Sequence, residues 1–238
     1  MKKIIFGLIF IFSSCLLFGQ QCYYKGRLSS CFEYGLQGGF SQYKGELNGF
    51  QSALGVGNFH LAGGFMFRYN FNYDYTHDFL AKLFDQRCSI RLNLLRCNTT
   101  AEKDRYNVNG YKFKTSINEI SAVMEYSFIR FSSAYNAKEY GLPITPYVFG
   151  GVGGFNYTVK DASTNIDVND GSKMAFCGII GGGAKAALWK GVVVGMDVGL
   201  RITSADDLDG KINVGGMKDI YYYFGANVLF NFAQILSE

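Results

Sequence analysis

Residues 191–203, GVVVGMDVGLRIT, alternate with a period of two, and this alternation constrains the fold more than any other feature of the chain. Every second residue from Val192 to Ile202 is apolar. The intervening set includes three glycines and the opposite charges of Asp197 and Arg201. Successive side chains of a strand point to opposite faces. The segment therefore predicts a β-strand with one wholly apolar face and one charged, glycine-rich face.

Seven further segments alternate in the same way. With the first one, they cover residues 32–43, 62–71, 78–84, 119–128, 146–157, 174–189, 191–203 and 221–232. Eight is an even number, as single-chain bacterial membrane barrels require. A strand of about 12 residues tilted by about 40° rises roughly 30 Å, enough to cross the hydrocarbon core of a bilayer. We therefore predict an all-β fold, an eight-stranded antiparallel transmembrane β-barrel of the outer-membrane type.

The composition agrees with this fold class. The chain has 30 Gly, 22 Phe and 17 Tyr but only 2 Pro, and 18% of its residues are charged, which is low for a water-exposed surface. The net charge of +4 is scattered, with no basic block or basic helix. The sequence therefore predicts no nucleic-acid partner.

The N-terminus has the pattern of a targeting segment. Lys2 and Lys3 precede an apolar stretch over residues 4–18, and the small residue Gly19 follows. This pattern predicts a secretory signal peptide, removed after export, rather than a membrane helix. We assign residues 1–19 to the signal peptide, 20–31 to a periplasmic segment and 32–238 to the outer-membrane barrel.

Eight charged residues occupy the minority faces of the predicted strands. A charge facing lipid at the bilayer midplane costs about 2–4 kcal/mol for Arg or Lys, whereas a charge facing inward finds a partner in a narrow barrel. The sequence thus predicts a plugged interior with a balanced network of ion pairs. Its members are Glu33, Arg68, Lys82, Glu119, Glu125, Lys185, Asp197 and Arg201.

The predicted connections fall into a short set and a long set. Outer-membrane barrels have short periplasmic turns and long outer loops, so the long, polar connections 44–59, 88–112, 160–173 and 204–218 are predicted to lie outside. One predicted periplasmic turn, residues 132–144, breaks the rule because it is long and polar. We predict that this turn contacts a partner through Tyr135, Lys138, Glu139 and Tyr140.

The cysteines leave two interpretations open. Five lie beyond the signal peptide, so at least one has no partner within the chain. Cys88 and Cys97 are nine residues apart, and an oxidising envelope permits a disulfide across a loop. The alternative is that the cysteines are small apolar fillers, which we favour for Cys177.

The sequence predicts no catalytic residues, no metal, no cofactor and no small-molecule substrate. His60 and His77 are the only histidines, and neither belongs to a cluster with metal-ligand spacing. The glycines of 150–154 are not followed by the Lys-Ser/Thr of a phosphate-binding loop. The acidic segments 167–171 and 206–210 lack the distal Glu of an EF-hand loop, and we interpret them as solvated turns.

Six stretches carry a resemblance to a known family. They are EYGLQGGFSQYKGELN (33–48), GGFMFRYNFN (63–72), FKTSINEISAVMEYSF (113–128), TPYVFGGVGGFNY (145–157), GMDVGLRITSADDLDG (195–210) and DIYYYFGANVLF (219–230). In this order the chain resembles the PorG family, small outer-membrane barrels of the type IX secretion system of Bacteroidetes. The resemblance implies a barrel that supports secretion of proteins with a C-terminal sorting domain. It also implies contact with a periplasmic ring of PorK and PorN, and it implies no catalytic residues.

Three functions remain open from the sequence. The first is an anchor or scaffold of the secretion apparatus, in contact with outer-membrane lipids and with the periplasmic ring. The second is a general structural or adhesin-like barrel that works through its outer loops. The third is a soluble, lipocalin-like carrier of an apolar ligand, in which the apolar parity would point inward.

Overall fold

The computed structural model describes residues 32–44, 59–71, 87–102, 112–129, 144–161, 171–205, 208 and 219–235. Eight strands form one closed antiparallel barrel, in which each strand pairs with its neighbours in sequence and β1 pairs with β8. This confirms the predicted fold class. The strands are β1 (Phe32–Lys44), β2 (His60–Asn70), β3 (Cys88–Glu102), β4 (Lys112–Ser127), β5 (Ile144–Asp161), β6 (Lys173–Trp189), β7 (Val192–Thr203) and β8 (Ile220–Phe230).

Closure of the barrel depends on the pairing of the first and last strands. The register of β1 against β8 runs from Tyr34 opposite Phe230 to Lys44 opposite Ile220. Because β1 also pairs with β2, every strand has two neighbours and the sheet has no open edge. In hydrocarbon, where water cannot satisfy backbone groups, such closure is what allows a sheet to exist at all.

The two ends of the barrel differ. We call the end where β1 begins and β8 ends the lower end, and the opposite end the upper end. At the lower end, a tight turn at Lys190 and Gly191 joins β6 to β7, and Gly191 has a positive φ of 77°. Glycine adopts this backbone conformation without the steric cost that a side chain would bring.

The chain after β8 forms a short helical turn, α1 (Phe232–Ile235). The Asn231 N–H donates to the Gly191 carbonyl at 2.7 Å, so this segment lies against the β6–β7 turn. A Cβ on Gly191 would stand 2.7 Å from Cγ1 of Ile235, too close for a side chain there. Within the described ranges, no helix is long and apolar enough to cross a bilayer.

The third strand was predicted in the wrong place. The alternation over residues 78–84 predicts the strand there and a loop over 88–112, but β3 is Cys88–Glu102. Residues 78–84, including Lys82, lie outside the described residues. The physical signal for β3 is the alternation of Ile90, Leu92 and Leu94, which are exposed on the outer face, with inward polar residues.

The interpretation of Cys88 and Cys97 as a disulfide across a loop is also wrong. Both residues belong to β3, nine positions apart on one extended strand. At about 3.3 Å per residue, their Cα atoms are roughly 30 Å apart, whereas a disulfide needs Cα atoms within about 7 Å. Cys97 and Cys177 are buried inside the barrel.

The outer face of the barrel is an apolar belt. Large side chains that would be costly in water stand highly exposed on it, for example Val152 at 69%, Phe176 at 76% and Ile120 at 66%. On β7 the outward apolar set extends from Val192 to Ile202, about 34 Å along the strand. With a tilt of about 40°, the belt is about 26 Å high, which matches outer-membrane barrels.

The lipocalin-like alternative is wrong because it requires the apolar side chains of the strands to point into the barrel. In the structure the apolar parity points out and the charged parity points in, as Val198 and Asp197 show on adjacent positions of β7. A barrel that carries an apolar ligand needs apolar side chains around its lumen.

Candidate functional site

One carboxylate organises the charged interior of the barrel. Glu125 of β4 is fully buried, with 0% of its surface exposed, and three cations from three other strands surround it. Its oxygens lie 3.0 Å from Nε of Arg68, 2.9 Å from Nη1 of Arg91 and 3.3 Å from Nζ of Lys185. The Ser89 hydroxyl also donates to Oε2 at 3.2 Å. A single negative charge thus ties β2, β3 and β6 to β4.

Two further carboxylates continue this network on either side. Nη1 of Arg68 lies 3.0 Å from Oε2 of Glu33, which also accepts a hydrogen bond at Oε1 from Nδ2 of Asn70 at 2.9 Å. Nη1 of Arg91 lies 2.8 Å from Oδ2 of Asp197. We call the set Glu33, Arg68, Arg91, Glu125, Lys185 and Asp197 the lumen network; its three cations balance its three anions.

A second buried pair lies apart from the lumen network. Nε of Arg201 on β7 is 3.4 Å from Oε2 of Glu119 on β4. The Tyr221 hydroxyl donates to the same oxygen at 2.6 Å. Each charge of the pair is at most 3% exposed, and the pair is electrically neutral.

Aromatic rings pack against the buried cations. The guanidinium carbon of Arg91 lies 4.5 Å from the ring centre of Phe149, and that of Arg201 lies 5.0 Å from the ring centre of Tyr223. Nζ of Lys185 lies 5.3 Å from the ring centre of Tyr147. The negative face of an aromatic ring attracts a desolvated cation, so these rings add stability to the interior.

Glycine supplies the space that these rings need. A Cβ on Gly181 would collide with the far edge of the Phe149 ring, and a Cβ on Gly199 would stand 3.2 Å from the same atom. The glycine-rich inner face recognised in the sequence thus leaves room for the Phe149 ring to pack against the barrel wall. Phe149 in turn packs against Arg91, so the glycines help to position the lumen network.

The structure places seven of the eight residues predicted for the charged interior inside the barrel. All seven are at most 3% exposed, and all take part in an ion pair. They are Glu33, Arg68, Glu119, Glu125, Lys185, Asp197 and Arg201. Lys82 lies outside the described residues.

Sequence reasoning missed Arg91, which occupies the inward cationic position of β3. The residues Ser89, Arg91 and Asn93 alternate with apolar Ile90 and Leu92, and this signal was available in the sequence. The assignment of 88–112 to a long, polar connection left it out. The predicted partner-contact residues Tyr135, Lys138, Glu139 and Tyr140 lie outside the described residues.

Two described residues between β7 and β8 are packed inside the upper end of the barrel. Ala205 and Leu208 are buried in the same apolar cluster as Cys97, Ile117 and Val159. Both backbone groups of Leu208 form hydrogen bonds. The Leu208 carbonyl accepts from the Thr115 hydroxyl at 2.7 Å, and the Leu208 N–H donates to Oδ2 of Asp219 at 2.9 Å. The interior is therefore packed at the level of Leu208.

The buried charges of the described strands lie in close ion pairs. Within the described part of the chain, no group of three or more His, Cys, Asp or Glu side chains could hold a metal ion. Each ion pair has its partners within 3.4 Å and excludes solvent. Such an arrangement cross-links the barrel wall from inside, because separating either partner would leave an uncompensated buried charge.

Comparison with solved structures shows the same fold in one of them, and two further structures are less similar. The chain is similar to Neisserial surface protein A (NspA), with a TM-score of 0.50, 13% sequence identity, and coverage of 84% of this chain and 97% of that chain. It is also similar to Ail, the attachment invasion locus protein of Yersinia pestis, in complex with sucrose octasulfate (TM-score 0.41, 12% identity, 84% and 99% coverage). OprG from Pseudomonas aeruginosa gives a TM-score of 0.40 at 12% identity, with 84% and 97% coverage. Comparison with curated proteins gives no match.

The family assignment rests on a match that covers most of the chain. The matching family is described as a domain of unknown function, and the match extends over residues 17–225. This range contains β1 to β7 and half of β8, with every charge of the lumen network. The chain belongs to the DUF6089 family.

Proposed function

We propose that this protein is a non-enzymatic barrel of the bacterial outer membrane that acts as an anchor and scaffold of the type IX secretion apparatus. In this role it contacts a periplasmic ring of proteins like PorK and PorN. The observation that carries the scaffold role is the filled interior. Arg91 and Asp197 meet across the barrel at 2.8 Å, so the protein offers surfaces to its partners rather than a path for cargo.

Two observations support a place in the outer membrane. The apolar belt has the height of a bilayer core, and the charged parity is hidden inside. The fold is similar to that of Neisserial surface protein A, and the match covers 97% of that chain. An envelope location also agrees with the signal peptide predicted for residues 1–19.

The resemblance of six sequence stretches to the PorG family supports the role in secretion. The connection between β4 and β5 is our candidate for the ring contact, because it belongs to the lower end, where the chain enters β1. In outer-membrane barrels the lower end defined in this way faces the periplasm. Tyr135, Lys138, Glu139 and Tyr140 would supply aromatic and charged groups to that contact.

Affinity purification from detergent-solubilised envelopes tests the proposal. We expect ring proteins to co-purify with the full-length protein, and a variant in which the 132–144 turn is shortened to lose them while the barrel still assembles. The matched control shortens residues 103–111, the connection between β3 and β4 at the upper end, and should keep the ring. Retention of the ring by the shortened 132–144 variant would show that the turn is not the contact. Absence of ring proteins from every preparation would contradict the scaffold role.

One structural feature favours a second function, an adhesin-like barrel that works through its upper end. Strands β3 to β6 are the longest of the barrel, and at the upper end of β3, β4 and β5 the outward faces become polar. Such a wall would stand above the membrane as a surface for attachment. Under this alternative, shortening 103–111 would abolish attachment while secretion continued normally.

A further inference from the structure

The outer wall changes from apolar to polar within two residues on three adjacent strands. Cross-strand partners on β3, β4 and β5 form successive rows across the wall. Toward the upper end, an apolar row is followed directly by a polar row. The two rows are Leu94–Ile120–Gly154 and Arg96–Asn118–Asn156. This step marks the level at which hydrocarbon gives way to headgroups.

A groove crosses this boundary. Its volume is about 600 Å³, and it is lined on the apolar side by Phe65, Leu94 and Ile120 and on the polar side by Arg96 and Asn156. A second groove of about 640 Å³ continues it toward β7. The two share Ile120 and Gly154, so they form one depression, which we call the wall groove.

Glycines form the floor of the wall groove. A Cβ on Gly178 would meet no atom within 4 Å, and a Cβ on Gly154 would lie 3.9 Å from the ring of Phe176. The space above these glycines is therefore open and flanked by the exposed side chains of Val152 and Phe176. A depression of this size with apolar walls can hold a flexible hydrocarbon chain.

The headgroup side of the wall groove is positively charged. Among the outward side chains that the structure describes on β3, β4 and β5, three are cationic and none is acidic. The cations are Arg96, Lys114 and Lys160. Lys114 and Lys160 are cross-strand partners in a row further up the wall, so positive charge continues above Arg96.

We propose that the wall groove binds one phosphorylated lipid of the outer leaflet, with its phosphate on Arg96 and an acyl chain over Gly154 and Gly178. The inference rests on the outer-membrane location proposed above. A guanidinium donates two parallel hydrogen bonds to a phosphate, and the amides of Asn118 and Asn156 are placed to donate to the same headgroup. The occupant needs an apolar part for the apolar side of the groove and an anionic part for the cationic side. A lipid has both parts, whereas a free anion has only the second.

Native mass spectrometry of the purified, full-length barrel in detergent tests the phosphate contact. Titrated with bisphosphorylated lipid A, the wild-type protein should bind one molecule, and Arg96→Gln should bind about tenfold more weakly. Lys190→Gln removes a cation at the lower end and should bind like wild type. With dephosphorylated lipid A, wild type and Arg96→Gln should bind equally weakly. Equal binding of phosphorylated lipid A by wild type and Arg96→Gln would overturn the proposal.

A second pair of variants tests the acyl contact. Gly154→Leu fills the wall groove, whereas Gly150→Leu adds the same side chain to the outer face of β5 outside it. Gly154→Leu should weaken binding about tenfold and Gly150→Leu should not. If the two variants bind alike, no acyl chain occupies the groove.

Failure of this inference and failure of the proposed function are distinguishable. The lipid measurement uses purified protein, whereas the scaffold role is tested by co-purification of the ring. Loss of the ring contact leaves the lipid result standing, and wild-type protein that binds no lipid A overturns the lipid site alone.

Discussion

Arg91 of β3 and Asp197 of β7 meet at 2.8 Å, although their strands lie on opposite sides of the eight-stranded barrel. A single ion pair therefore spans the interior. Both residues are at most 3% exposed, and Arg91 also contacts Glu125 and the ring of Phe149. At this level the barrel has no room for a water-filled channel. The side chains of Arg91 and Asp197 connect opposite sides of the barrel wall.

The first prediction concerns the contribution of this pair to stability. Asp197→Asn removes the anion and leaves Arg91 with Glu125 alone, which already serves Arg68 and Lys185. We expect the free energy of unfolding to fall by about 3 kcal/mol, because a buried charge loses its partner. Urea unfolding in detergent measures the change. Val198→Leu, on the lipid side of the next position, is the control, and equal stability of the two variants would contradict the role of the pair.

The second prediction concerns the balance of charge around Glu125. Glu125→Gln leaves three cations facing two carboxylates, and we expect a loss of about 3–5 kcal/mol. Adding Lys185→Met restores neutrality, since Arg68 and Arg91 keep Glu33 and Asp197. The double variant should regain at least about 1 kcal/mol relative to Glu125→Gln. Simple additivity of the two changes in urea unfolding would show that the charges are not coupled.

The third prediction concerns conduction. Because Arg91 and Asp197 join opposite walls and Leu208 is packed into the upper mouth, the interior has no continuous open path at these levels. The purified protein in planar bilayers should give no steady single-channel current, while a general porin in the same bilayers does. Stable channel openings of the purified protein would contradict a filled interior.

The fourth prediction concerns the position of the bilayer. Val152 is 69% exposed in the apolar belt, whereas Asn156 of the same strand lies in the polar row above it. Val152→Arg should lower the free energy of unfolding by about 2–4 kcal/mol or reduce assembly, because its charge faces hydrocarbon. Asn156→Arg places the same side chain at the headgroup level and should be tolerated. Equal effects of the two substitutions on folding into lipid vesicles would argue against this boundary.

The fold could be predicted because period-two alternation reports directly on two-faced strands. Seven of the eight strands overlap the predicted segments. The third differs because residues 78–84 also alternate and predict a strand, which leaves 88–112 as a long connection. Within that connection, Ile90, Leu92 and Leu94 alternate with polar residues. Only the pairing with neighbouring strands decides which of two alternating segments forms the strand, and a single sequence does not show this pairing.

The composition of the charged interior could be predicted, but its connections could not. Alternation tells which face a residue occupies, so it predicts that Glu125 and Asp197 face inward. It does not give the stagger between strands, and this stagger decides that Arg91 reaches Asp197 from across the barrel. The packing of Leu208 at the upper end could not be predicted either, because it depends on a hydrogen bond between Thr115 and Leu208, which are 93 residues apart.

The orientation of alternate side chains is the central claim, and two adjacent positions of β4 test it most directly. Ser121 is 2% exposed and points into the barrel, while Ala122 is exposed on the lipid face. In a background without the native cysteines, Ser121→Cys and Ala122→Cys are both small changes. An apolar diazirine dissolved in the bilayer reacts as a carbene and needs no thiolate. It should photolabel Cys at position 122 in lipid vesicles and leave position 121 unlabelled. Labelling of position 121 with protection of position 122 would contradict the barrel described here.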